Sequence, residues 1–159
     1  VHRDLKPDNI LLNAALVPKI ADFGLSRDMV HDATMSDGVG SLLFSAPELL
    51  LRRRYNELVD VWSFGCVLSC LHFDSTEPFD ERICDKAVCG WAGSLGLVAE
   101  GKAIPAVPDR AEIGHIVREC CRHDPQLRIS ATKALDLLQQ AAMREYLKQD
   151  LWRGGGGPL

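Results

Sequence analysis

The sequence predicts a mainly α-helical fold carrying one short β-hairpin near its N-terminus. Three observations lead there. The stretch "NELVDVWSFGCVLSCLHF" is apolar on nearly every side of a helical wheel, which marks a helix surrounded by protein. Two further segments near the C-terminus, "AEIGHIVRECC" and "ATKALDLLQQAAMREYLKQ", place apolar residues at helical spacing. Strand-like runs are limited to "NILLN" and "PKIAD", each short and both close to the start of the chain.

Taken in order, the chain opens on "VHRDLKPDN", a polar stretch dense in ionisable groups, and then enters the two short strands, joined by a turn that contains Pro18. From Phe23 to about Gly40 the sequence is polar and without periodicity. A loop of that length inside a compact domain is usually functional. "SAPELLLRRR" begins a short helix with Pro47 in its first turn, where a missing N–H costs nothing. The apolar central helix follows, and Asp60 lies within it; a carboxylate on such a helix needs hydrogen-bond partners. "TEPFD" is a loop, "RICDKAVCGWAGSLGLVAEG" a weaker helical region rich in glycine, and "AIPAVPD" an extended connection. "RHDPQLRIS" links the last two helices, with Ser130 as N-cap of the final one, on which Leu135, Leu138 and Ala142 are spaced to share a face. Residues 1–149 read as one domain and 150–159, ending in "RGGGGPL", as a flexible glycine-rich tail.

Composition narrows the classes of function. A chain of 159 residues that is 47% hydrophobic and 25% charged is an ordinary globular composition, long enough for a sizeable core. The net charge of −4 gives no footing for nucleic acid or an anionic membrane as partner. No apolar run approaches the ~20 residues that a membrane-spanning helix requires. The six cysteines form no CxxC pair, and Cys120 and Cys121 are adjacent, so reduced, mostly buried thiols in a cytoplasmic protein are the expectation rather than a zinc site.

The chemistry concentrates in "HRDLKPDN" and in "DFG" at residues 22–24, 18 residues after Asp4. With "SAPE" ending at Glu48 and "DVWSFG" starting at Asp60, the order and spacing resemble the eukaryotic protein kinases, over nearly the whole chain. Lys6 in "LKPDN" and Ser41 in "GSLLFSAPE" favour the Ser/Thr type. "DFGLSR" and "DVWSFGCVL" are similar to its tyrosine-kinase-like branch.

The resemblance implies roles for individual residues. Asp4 accepts or orients the proton of the attacking hydroxyl, and Lys6 meets the γ-phosphate as a point charge. Asn9 and Asp22 offer the hard oxygen ligands that Mg²⁺ prefers. Leu11 lies under the adenine ring of ATP, and His2 and Phe23 belong to the internal packing behind the site rather than to the chemistry. Arg3 implies an activation loop ordered by phosphorylation, with Thr34 or Ser36 as the modified residue and an upstream activating kinase as partner. Ser41 supplies a hydroxyl that bridges Asp4 and Lys6, while Phe44 stands where the family usually has tyrosine. Glu48 and Arg128 form a buried ion pair, and Asp60 accepts backbone N–H groups of the catalytic loop.

Such a kinase also needs a glycine-rich loop over the phosphates, a strand lysine and a helix glutamate, none of which lies between Val1 and Leu159. The expectation is therefore a C-terminal-lobe fragment with the N-terminal lobe absent, belonging to an ATP-dependent enzyme acting on Ser/Thr hydroxyls of protein substrates. A catalytically inactive, kinase-like interaction module is the alternative. A small-molecule kinase is disfavoured by Lys6 together with a complete "SAPE" segment.

Overall fold

The computed structural model describes residues 1–26, 42–80, 90–109 and 111–154. Among these residues the order is a hairpin followed by five α-helices: β1 (Ile10–Leu12), β2 (Pro18–Ile20), α1 (Pro47–Leu50), α2 (Leu58–Phe73), α3 (Gly90–Ala99), α4 (Ala111–Cys120) and α5 (Ala131–Gly154). The molecule is thus mainly helical with one small antiparallel sheet, in which Ile10 pairs with Ile20, Leu11 with Lys19 and Leu12 with Pro18. Thr34, Ser36 and Ser41 lie outside the described residues, as do Cys84 and Cys89.

The hairpin differs from expectation in one detail. Pro18 is the first residue of β2 and sits opposite Leu12, outside the turn. The turn is organised by Asn13, whose Oδ1 accepts the backbone N–H groups of Ala15 (3.0 Å) and Val17 (2.9 Å). A proline at the first position of a strand gives up no ladder bond, so the placement is permitted.

Helix α2 is the axis of the fold. Val59, Val61, Trp62, Cys66, Val67 and Cys70 are all buried along it, and the core gathers around them with Leu43, Phe44, Ile116, Cys120, Cys121 and Ala134. It packs chiefly against α4, which in turn packs against α5, while α1 contacts α3. The approach of α2 to α4 is close because Gly65 faces it: a Cβ there would collide with the Cys121 Sγ and lie 2.9 Å from the Cys120 Cβ. Two hydroxyls on α2 bind loops to it. Ser63 donates to the Phe44 carbonyl at 2.7 Å, and Ser69 donates to that of Ala106 at 2.7 Å.

Ser130 caps α5 by accepting the Lys133 N–H at 3.1 Å. The helix continues to Gly154, carrying regular backbone through residues 150–154, which the sequence assigns to the tail. Among the described residues no helix is long and apolar enough to cross a membrane.

Cys66, Cys70, Cys120 and Cys121 are free and buried. Burial pushes the Cys120 thiol up to about 12 and that of Cys70 to about 11, from an ordinary value of 9.0. Cys66 moves in the same direction, by burial first and then by its hydrogen bond with Cys121.

Candidate active site

The opening nine residues form a compact polar network above the N-terminal end of α2. Lys6 is fully extended (φ −154°, ψ 167°), so its side chain projects to the same side as that of Asp4, two residues earlier. Its Nζ donates to Asp4 Oδ2 at 3.0 Å. Pro7–Asn9 then make one 3₁₀ turn that returns Asn9 to Asp4. The Asn9 amide nitrogen donates both to the Asp4 backbone carbonyl (2.7 Å) and to Asp4 Oδ2 (3.0 Å). One carboxylate oxygen therefore receives a cation and an amide, leaving Oδ1 as the other acceptor of Asp4.

Asp60 fixes the position of this loop. Its two carboxylate oxygens accept the His2 N–H (2.7 Å) and the Arg3 N–H (2.8 Å). Arg3 has a positive φ of 70°, a conformation that costs a non-glycine residue of order 1–3 kcal/mol and persists only where surrounding bonds over-determine it. The paired bonds to Asp60 provide that restraint. They also account for a carboxylate on the central helix.

His2 closes the network from behind. Its Nδ1 accepts the Asp4 N–H (3.3 Å), so its Nε2 carries the hydrogen that bonds the Ala21 carbonyl at 3.0 Å. Its ring meets that of Phe23 edge-on at 5.0 Å, although Phe23 is 62% exposed. The Ala21 N–H bonds the Asn9 carbonyl at 2.8 Å, which brings Asp22 beside the loop. Asp22 is left-handed (φ 59°) and exposed, and its Oδ1 accepts the Gly24 N–H at 3.2 Å. Leu11 is on β1 and exposed, part of an apolar surface with Leu12, Leu16, Val17, Ile20 and Phe23.

Arg3 makes contacts that sequence reading misses. Its Nε donates to the Leu25 carbonyl at 2.6 Å, its Nη2 bonds the same oxygen, and its Nη1 donates to the Tyr55 hydroxyl at 3.2 Å. Tyr55, 52 residues away, gives no signal in "RRRYNEL" that it belongs beside the opening loop.

The second polar centre is buried. Arg128 binds Glu48 through two parallel bonds, Nη1 to Oε1 at 2.7 Å and Nη2 to Oε2 at 3.1 Å. Its remaining hydrogens go to the carbonyls of Leu58 (2.7 Å) and Arg122 (3.0 and 3.1 Å), so every guanidinium hydrogen is used. The guanidinium also lies 5.3 Å from the centre of the Trp62 ring. This pair ties α1 to the loop before α5.

An anionic group held by a lysine and an amide, beside a second exposed carboxylate, is suited to handling a hydroxyl proton and a highly charged phosphoryl group. Sequence comparison agrees with that chemistry: residues 1–138 match the protein kinase domain family. The chain belongs to the protein kinases.

Among relatives, it is 37% identical over 145 residues to calcium-dependent protein kinase 21 of Arabidopsis thaliana, covering 86% of this chain and 25% of that protein. A probable serine/threonine-protein kinase of Dictyostelium discoideum is 33% identical over 143 residues, covering 88% of this chain and 15% of the relative. The dual specificity protein kinase shkE of the same organism is 31% identical over 143 residues, covering 82% and 18%. The chain thus spans a quarter or less of the length of these relatives.

Proposed function

We propose that the chain is the helical C-terminal lobe of an ATP-dependent protein serine/threonine kinase and carries its phosphoryl-transfer residues. The observation that supports this most is the convergence of Lys6 and Asn9 on one oxygen of Asp4, each at 3.0 Å. In this reading Asp4 orients the substrate hydroxyl and takes up its proton through the oxygen that these two leave open. Lys6, already paired with Asp4, stands where the transferred phosphoryl group carries its charge.

The donor set suits Mg²⁺. Asn9 commits its amide nitrogen to Asp4, which leaves its side-chain oxygen as a hard ligand, and Asp22, whose neighbour Ala21 bonds the Asn9 carbonyl, presents an exposed carboxylate. Two protein ligands suffice for a cation that keeps waters and phosphate oxygens as its remaining ligands. Bound there, Mg²⁺ with ATP would supply charge neutralisation of the phosphates; Leu11 offers an apolar surface for the base.

Serine/threonine specificity rests on Lys6 within "LKPDN" and on the hydroxyl of Ser41. Arg3 retains the reading of a phosphate-responsive residue, because its guanidinium already joins the start of the segment after Asp22 to the segment before α2. The test is transfer of radiolabelled γ-phosphate by the full-length protein containing this chain, followed by phosphoamino-acid analysis. Label on serine and threonine is expected; label on tyrosine alone, or none, would overturn the proposal.

A further inference from the structure

The connection between α1 and α2 carries a feature that neither the catalytic loop nor the core explains. Arg52, Arg53 and Arg54 are consecutive and exposed, and among the described residues no carboxylate pairs with any of them. Three uncompensated guanidinium groups in a row are conspicuous on a chain of net charge −4. Their backbone is fastened at both ends. The Arg53 N–H bonds the Glu48 carbonyl at 2.8 Å, and the Leu58 carbonyl is held by Arg128 at 2.7 Å, so both ends lead into the buried Glu48–Arg128 pair. Arg52 is itself left-handed (φ 52°), which turns the chain sharply at the start of the run.

Beside this run lies a cavity of about 270 Å³ lined by Arg54, Tyr55, Asn56, Leu58, Pro125 and Gln126. Among the described residues no carboxylate lines it. Asn56 spends its side-chain oxygen on the Leu58 N–H at 3.1 Å, so its amide N–H groups remain as donors. The Tyr55 oxygen accepts from Arg3, which leaves its O–H hydrogen as a donor too. With the Arg54 guanidinium these groups make a donor-rich recess, chemically matched to a carboxylate side chain. Through the Tyr55–Arg3 bond the recess is one side chain from the residue preceding Asp4.

We infer that Arg52–Arg54 and the adjoining recess bind an acidic, Asp/Glu-rich segment of the protein substrate. The inference rests on the kinase reading above and adds to it the class of substrate. An acidic segment is drawn by the three charges and anchored by one carboxylate entering between Arg54 and Asn56, its hydroxyl-bearing portion then lying toward Asp4.

The test is fluorescence anisotropy of the full-length protein with a labelled Glu-rich peptide and its Gln-substituted isostere. At low salt the Glu peptide should bind about tenfold more tightly, and the advantage should shrink at 0.5 M salt as exposed charges are screened. R52Q/R53Q/R54Q should abolish the advantage and R52K/R53K/R54K retain much of it. N56D, which keeps the bond to the Leu58 N–H but places a carboxylate in the recess, should reduce it several-fold. A control variant of equal charge change, K102Q/R118Q/K133Q, should retain it. Equal binding of the two peptides, survival of the preference in the Gln triple variant, or equal loss in the control would overturn the inference. So would equally tight, arginine-dependent binding of single-stranded RNA or anionic vesicles. Because binding is read without phosphate transfer, absence of transfer counts against the kinase reading alone, and transfer without acidic preference counts against this inference alone.

Discussion

The loop-and-hairpin region and the α2–α4–α5 core solve opposite problems with the same kinds of residue. In the core, charge is enclosed: Arg128 and Glu48 are both buried, and each guanidinium hydrogen has an acceptor. In the loop and hairpin, apolar surface is open: Leu16 is 75% exposed, and Leu11, Leu12 and Ile20 are each more than half exposed. The core gains rigidity from dense packing and from the full set of acceptors around the Arg128 guanidinium. The hairpin has little packing of its own; the loop before it is held by Asp60 through the His2 and Arg3 N–H groups, and Ala21 at its end is held by His2. Precision at the candidate site is therefore borrowed from α2.

If that division is correct, variants should sort by region. Arg128→Leu should have the largest effect, because it strands the Glu48 carboxylate and two carbonyls in the core; about 3–5 kcal/mol of stability should be lost, measured by denaturant unfolding. Gly65→Ala comes next. Its methyl group must displace Cys121 and Cys120 at the α2–α4 contact, costing about 1–3 kcal/mol in the same measurement. Asp60→Ala should cost a comparable amount, about 1.5–3 kcal/mol for hydrogen bonds to a charged group, and should also lower transfer activity by releasing Arg3 from its left-handed conformation. Leu12→Thr, on the open face of the hairpin, should fall within about 0.5 kcal/mol of the unmodified protein.

The buried thiols give the comparison a pH dependence. The folded-state pKa values of Cys66, Cys70 and Cys120 lie above those of the unfolded chain, so between 9.0 and about 12 the unfolded state loses protons that the folded state keeps. Stability is fully present below pH 9 and falls as pH rises toward 12. A melting temperature that declines through this window, with native thiols slow to react with Ellman's reagent below it, is the expected outcome.

What the sequence discloses follows the range of the interactions. The central helix is legible because burial along most of its length leaves a largely apolar record between Leu58 and Phe73, interrupted chiefly by Asp60 and by the two serines that bind loops to it. Asp4, Lys6 and Asn9 are legible together because an extended residue and one 3₁₀ turn bring close neighbours in sequence to one oxygen. The turn of the hairpin is not, since proline draws attention as a turn former while the bonds are made by Asn13. Tyr55 is the clearest omission: its contact with Arg3 depends on the path of the chain from α1 to α2, which no local spacing encodes. The donor-lined recess beside Arg54 is hidden for the same reason, because Pro125 and Gln126 close it from a distant loop.

The central claim is that Asp4 acts on substrate while the framework beneath it only holds it in place. It is tested most directly by the rate of phosphate transfer in the full-length protein carrying Asp4→Asn, read alongside its melting temperature. The account predicts a fall of about 10²–10⁴-fold in kcat with the melting temperature essentially unchanged. Transfer at the unmodified rate by the folded variant would contradict it.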